Sequence, residues 1–189
     1  REKDRMHPTK RERPIASGMV SVKAAWIMTV VLLTVGGVCN ALVFHPWASF
    51  LLVTYLMLNL AYSFGAKNVP LVDVSILVSG FLIRIIYGAI ITDIQISNWL
   101  YLTVIAGAFY FALGKRRNEL KRTGDGATRK VLELYNPNFL DKNMYMCLAL
   151  ANVFYALWSM DDSTVAAHGN NHLIWTVPLV LLITMRYSM

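Results

Sequence analysis

Residues 22–43 read VKAAWIMTVVLLTVGGVCNALV, an uninterrupted apolar run with one charge at its margin, Lys23, and no proline. At 1.5 Å per residue a helix over this run is about 33 Å long, enough to cross about 30 Å of hydrocarbon. Comparable runs recur near residues 47–66, 70–92, 98–114, 143–160 and 172–187. The breaks between them fall at His45-Pro46, at Gly65-Ala66-Lys67-Asn68, at Asp93 to Ser97, and in two longer connections. Continuous Leu, Ile, Val and Ala in place of period-two alternation speaks against a β-barrel. The expectation is an all-α, polytopic transmembrane helical bundle with six spans.

Composition agrees. Of 189 residues 56% are hydrophobic, and the formal charge is +7; mean hydropathy is +0.47. An ordinary soluble domain of this size does not combine these values. The cations are apportioned by loop. Residues 1–23 hold seven Lys and Arg, the next even-numbered break holds Lys67, and residues 115–142 hold eight. The connections around His45, Asp93 and 161–172 hold none. Positive charge is retained in the cytoplasm, so the basic segments and both visible ends are assigned to that side. This accounts for the charge without nucleic acid. Cys39 and Cys147 fall inside apolar runs at no metal or disulfide spacing and read as small packing residues. His45, His168 and His172 form no ligand-like grouping. No secretory signal is visible, and the chain opens on charged residues, as a fragment would.

Two basic segments are candidates for chemistry. The first is Asp4-Arg5-Met6-His7-Pro8-Thr9-Lys10-Arg11-Glu12-Arg13-Pro14, followed by Ser17-Gly18. Topology alone explains basic loops, but two prolines stiffen this one and a carboxylate sits among its cations. Ser17-Gly18 is expected to turn or cap into the next helix. The second is Gly114-Lys115-Arg116-Arg117-Asn118-Glu119, continuing to Arg129-Lys130. Lys115 and Glu119 are four apart and can pair on one helix face. Lys115 and Arg116 close an apolar span, where their donors reach phosphates at headgroup depth. Arg84 lies in the body of a span, where an unpaired cation is costly, so it is expected to face the bundle interior. Tyr62 and Lys67 read either as interfacial anchors or as site residues, and Asp73 either joins a site or caps the next helix.

The run from Arg1 to Gly18 resembles the tail of the first aspartate-rich motif, Asn-Asp-x-x-Asp-x-x-x-Asp, of the UbiA superfamily, with Asp4 in the place of the last aspartate. Within it, His7-Pro-Thr-Lys10-Arg-x-Arg13-Pro-Ile-Ala, Tyr62-Ser-Phe-Gly-Ala-Lys67, the Arg84 helix with Gly88, Gly114-Lys115-Arg116 with Glu119-Leu120, and Arg129-Lys130 before Leu132-Glu133-Tyr135 resemble the members that transfer phosphoribose to a polyprenyl phosphate of the decaprenyl kind. Conventional prenyltransferases of the superfamily carry a second aspartate-rich motif where this chain has Gly114-Lys-Arg-Arg-Asn-Glu-Leu120.

The resemblance implies a single UbiA-type transmembrane domain over residues 1–189 that lacks two helices before Arg1 and one after Met189 of an expected nine. It implies an integral membrane glycosyltransferase in the bacterial inner membrane with its site on the cytoplasmic face. Its substrates are phosphoribosyl pyrophosphate and a polyprenyl phosphate, for cell-envelope arabinose-type precursors. It implies Mg²⁺, with Mn²⁺ as a substitute, at Asp4 and aspartates upstream, because one Asp is too few for a metal site. Asp4, Lys10 and Lys115 then carry catalysis. Arg5, His7, Arg11, Arg13, Tyr62, Lys67, Arg84, Arg116, Glu119, Arg129 and Lys130 bind substrate. A homo-oligomer packed through apolar faces is compatible with this. Two other readings stand beside it: prenyl transfer to a small aromatic acceptor, and a non-catalytic membrane protein.

Overall fold

The computed structural model describes residues 10–123 and 130–188, the side chains of Lys10, Arg122, Thr123 and Lys130 apart. Among the described residues every regular element is helical. A 3-10 turn at Lys10–Glu12 precedes α1 (Pro14–Ser17), α2 (Val22–Val43), α3 (Pro46–Phe64), α4 (Val72–Thr92), α5 (Asn98–Thr123), α6 (Pro137–Met160), α7 (Asp162–His168) and α8 (Val177–Ser188). Further 3-10 turns lie at Ala66–Asn68, Lys130–Leu134 and His172–Thr176. Of these, α2, α3 and α4 are long and apolar enough to cross a membrane by length and composition.

Local chemistry sets the ends. Ser21 caps α2, its Oγ accepting the Ala24 N–H at 3.1 Å. Of the turn or cap expected at Ser17-Gly18 the turn forms, Gly18 ending α1 at φ 91°, and the cap falls three residues further on. The residue before a proline is disfavoured in a helix, and the chain breaks at His45 before Pro46 starts α3. Asp93 ends α4 in the left-handed region at φ 52°, its N–H bonded to the Ala89 carbonyl.

Three expected boundaries move. α5 does not stop with its apolar run at residue 114 but continues to Thr123. Lys, Arg, Glu and Leu are good helix formers, and nothing after Gly114 breaks the helix before Gly124. α6 starts six residues before its apolar run, because Asn136 caps it by accepting the Asn138 N–H at 2.9 Å and Pro137 suits the first helical position. The last apolar run divides into the His172–Thr176 turn and the twelve-residue α8.

The chain packs as two units, residues 1–49 and 50–189. In the first, α2 buries only Asn40, whose Nδ2 donates to Ser49 Oγ at 2.8 Å. Its Trp26, Leu32 and Leu42 point outward, a surface suited to lipid as solvent and not to water. The second unit has a core from four segments: Val74 and Val78 of α4, Ala108, Ala112 and Leu113 of α5, Val131 and Tyr135 before α6, and Leu140 and Cys147 of α6. Cys147 is thus the packing residue its setting suggested, whereas Cys39 is exposed. At Gly114 a Cβ would stand 3.2 Å from Met144 Cε, so the glycine lets α5 and α6 approach closely.

Candidate functional site

The second unit draws Tyr62, Asp73 and Tyr135, distant in sequence, and the nearby Glu119 together around Arg116, whose side chain is wholly buried. Its Nε donates to Asp73 Oδ2 at 2.5 Å, Nη1 to Glu119 Oε2 at 2.7 Å and Nη2 to the Tyr62 hydroxyl at 3.2 Å. Asp73 is equally buried, and its Oδ1 accepts from the Tyr135 hydroxyl at 2.7 Å. That hydroxyl in turn accepts the Leu71 N–H at 2.8 Å. Leu71 sits at φ 65°, a conformation costly for a leucine. The bond to Tyr135 helps hold this strained entry into α4. Burial, and then the bond to Asp73, push the Tyr135 hydroxyl up from 10.0 to about 12, so it stays a neutral donor through the physiological range.

Helical geometry explains the convergence. On α3, Tyr55, Leu58, Asn59 and Tyr62 share one stripe; on α4, Asp73, Leu77, Gly80 and Arg84 do the same. Successive residues on α5 point about 100° apart, so Lys115 turns outward while Arg116 turns in. The expected Lys115–Glu119 pair does not form: Glu119 pairs with Arg116, three residues away. Lys115 is exposed and has no hydrogen bond or ion pair among the described residues. Burial likewise alters the reading of Arg116, since each of its three nitrogens already has a protein acceptor.

Two cavities flank this cluster. One, of ≈ 660 Å³, is lined by Gly114, Lys115, Arg117, Asn118 and Glu119 with Tyr110, Phe111, Met144, Tyr187 and Ser188. The other, of ≈ 360 Å³, runs between α3, α4 and α5 past Tyr55, Asn59, Tyr62, Leu77, Gly80, Phe81 and Arg84. Lys115 and Phe111 line both. Arg84 is eleven residues, about 16 Å, along α4 from Asp73. Its Nε donates to the Gly80 carbonyl at 3.0 Å and its guanidinium lies 4.7 Å from the Phe81 ring centroid. Arg84 is exposed and not turned into the interior as expected, and backbone and π-electrons satisfy part of its charge in place of a carboxylate.

Lys67 is half-buried in the turn before α4. Arg11 and Arg13 are exposed and belong to the first unit. Asp4, Arg5, His7 and Arg129, and the side chains of Lys10 and Lys130, lie outside the described residues. Sequence reasoning missed the joint role of Tyr135 and Asp73, and also Arg117, which pairs with Asp141 across α5 and α6. The signal for Asp73 was present, a carboxylate in the first turn of an apolar helix. Its partner 43 residues away was not.

No three metal-ligating side chains come together among the described residues. Asp73 and Glu119, the carboxylates nearest Lys115 in this network, are both paired with Arg116. This donor set does not suit a divalent ion, which prefers oxygens free of a competing cation. Asp4, the metal ligand expected from the resemblance, lies outside the described residues.

Described residues that are all helical in their regular elements, with three helices of membrane-crossing length and composition, define a polytopic membrane protein. The UbiA prenyltransferase family matches residues 1–188, and the chain belongs to that family as an integral membrane protein. It is 35% identical over 192 residues to the decaprenyl-phosphate phosphoribosyltransferase of Corynebacterium glutamicum, covering 99% of this chain and 57% of that one. It is 35% identical over 190 residues to the enzyme of the same name from Mycobacterium tuberculosis, covering 99% and 61%. It is also 33% identical over 129 residues to nodulation protein NoeC of Azorhizobium caulinodans, covering 67% and 41%. The chain spans about three fifths of the length of the phosphoribosyltransferases.

Proposed function

We propose that the protein transfers 5-phosphoribose from phosphoribosyl pyrophosphate to the phosphate of a polyprenyl phosphate, releasing pyrophosphate, at the cytoplasmic face of the bacterial inner membrane. The observation that carries the reading is Lys115: an exposed ammonium with no partner among the described residues, shared by two cavities, in a chain whose relatives bear the name of this activity. The product would serve as an arabinose-type envelope precursor. The domain is read as one UbiA-type transmembrane domain, active as part of the full-length protein.

The chemistry suits these residues. Breaking the bond from the anomeric carbon to pyrophosphate builds positive charge on the ribose and negative charge on the leaving group. Fixed charges near the developing anion therefore supply most of the acceleration. The acceptor phosphate is already an anion and needs no general base. Lys115 acts as a point charge on a phosphate, and Glu119 accepts from a ribose hydroxyl. Tyr62 donates beside it, while Arg84 and Lys67 supply cations along α4 and in the turn before it. Arg116 positions its neighbours and does not grip phosphate. Arg129 and Lys130 bind phosphate.

Lys10, Arg11 and Arg13 neutralise pyrophosphate, with Arg5 and His7 as neighbouring donors. Mg²⁺ held at Asp4 would supply further neutralisation of that leaving group.

The test is label transfer. Membranes holding the full-length protein, Mg²⁺, polyprenyl phosphate and labelled phosphoribosyl pyrophosphate should place label in the organic extract, and Lys115→Ala should lower it about a hundredfold. Activity appearing only with polyprenyl pyrophosphate and an aromatic acceptor would overturn the assignment in favour of prenyl transfer. Silence with both substrate pairs would leave a non-catalytic membrane protein.

A further inference from the structure

The Arg116 guanidinium is held by three partners at once, from three different helices. One carboxylate, Asp73, would neutralise the buried guanidinium, yet the other two nitrogens reach Glu119 and Tyr62. Those two groups do not share a cavity. Glu119 lines the larger one, beside Asn118 and Arg117, and Tyr62 lines the smaller one, beside Asn59 and Arg84. A planar guanidinium fixes the directions of its donors, so rotating it moves both contacts together. Asp73 is what prevents the rotation, being itself held by the Tyr135 hydroxyl and, through it, by the Leu71 backbone.

We infer that Asp73 is a positioning residue: through Arg116 it sets the Glu119 carboxylate in one cavity and the Tyr62 hydroxyl in the other, so that the two substrates are held in register across Lys115. This rests on the proposed transfer, with each cavity taking one of the substrates. It gives a role to a buried carboxylate that touches no substrate. Asp73 also keeps Arg116 from competing with Lys115 for phosphate. With Asp73 neutral, the guanidinium is free to draw Glu119 fully to itself and out of the larger cavity.

The experiment is a double-mutant cycle in the full-length protein, with kcat and KM for phosphoribosyl pyrophosphate measured for Glu119→Gln alone, in an Asp73→Asn background and in an Arg116→Lys background. Glu119→Gln in the otherwise native protein should lower kcat/KM on the order of tenfold, a loss typical of a misplaced positioning contact. In either altered background the same change should cost no more than about twofold, because the carboxylate is already out of place. Arg116→Lys keeps the charge but cannot bridge three partners, so it carries the comparison where Asp73→Asn fails to fold. Equal losses in all backgrounds would reduce Asp73 to a structural residue and overturn the inference. A native protein that transfers no label defeats the proposed function separately. The same cycle is then read as equilibrium binding of labelled phosphoribosyl pyrophosphate, where additive losses would overturn the inference and non-additive ones sustain it.

Discussion

Lys115 and Arg116 are neighbours in the chain and opposites in environment, one exposed and without a partner among the described residues, the other buried with an acceptor on each of its nitrogens. From the sequence both looked like phosphate donors at the end of a span. What separates them is a 100° turn of the helix, and which residue faces inward depends on partners 43 and 54 positions away. Substitution should separate their roles. Lys115→Ala should leave the unfolding midpoint in detergent unchanged and lower transfer about a hundredfold, the scale of losing one charge contact to a developing anion. Arg116→Ala should instead destabilise the fold by about 3–5 kcal/mol, because it strands the buried Asp73. An unfolding midpoint lowered equally by both would refute the distinction. Tyr135 adds a pH dependence with a definite sign. Its hydroxyl is raised from 10.0 to about 12, so its contribution to stability is intact below pH 10 and lost as pH climbs through 12. Tyr135→Phe should therefore flatten the fall in unfolding midpoint between pH 10 and 12. It should also cost about 1–3 kcal/mol at neutral pH, since it leaves the buried Asp73 carboxylate without this partner.

At the scale of elements, the apolar periodicity and the breakers located most helices, and the errors share a cause. Hydropathy marks where lipid ends, not where a helix ends. α5 continues beyond its apolar run through residues 115–123 because their propensities permit it, and α6 begins early because Asn136-Pro137 is a start signal independent of hydrophobicity. The prolongation matters for the site, since Lys115, Arg117, Asn118 and Glu119 keep their relative directions only on one unbroken helix. Asn118 is exposed and in the middle of that stretch. Replacing it by proline should cost about 3 kcal/mol or more and uncouple Glu119 from Lys115. Asn118→Ala should keep the helix and leave transfer within a few-fold of the native rate. Circular dichroism and label transfer on the two variants check this. Comparable activity in both would mean the helix need not be continuous there. Arg117→Ala breaks a half-exposed pair with Asp141 and should cost at most about 1 kcal/mol in thermal unfolding.

For the whole molecule, the sequence conveyed class and charge distribution well because insertion into a membrane imposes them residue by residue. The meeting of Asp73, Arg116, Tyr62 and Tyr135 was not legible, being a property of how helices pack and not of any one of them. The same packing bears on where a metal can act. The carboxylates gathered around Arg116 are spent on that cation and on the Tyr135 hydroxyl, so a divalent ion gains little by competing for them. On the proposed reading the metal falls instead to the Asp4 segment, through its resemblance to the tail of an aspartate-rich motif. In the full-length protein, Asp4→Asn should therefore raise the Mg²⁺ concentration needed for half-maximal label transfer. Asp73→Asn should lower the maximal rate and leave that concentration unchanged. Chelation should abolish transfer and added Mg²⁺ restore it. If instead Asp73→Asn shifted the Mg²⁺ requirement and Asp4→Asn did not, the metal would belong with the buried cluster, and the division between a metal-bearing segment and a metal-free positioning network would fall.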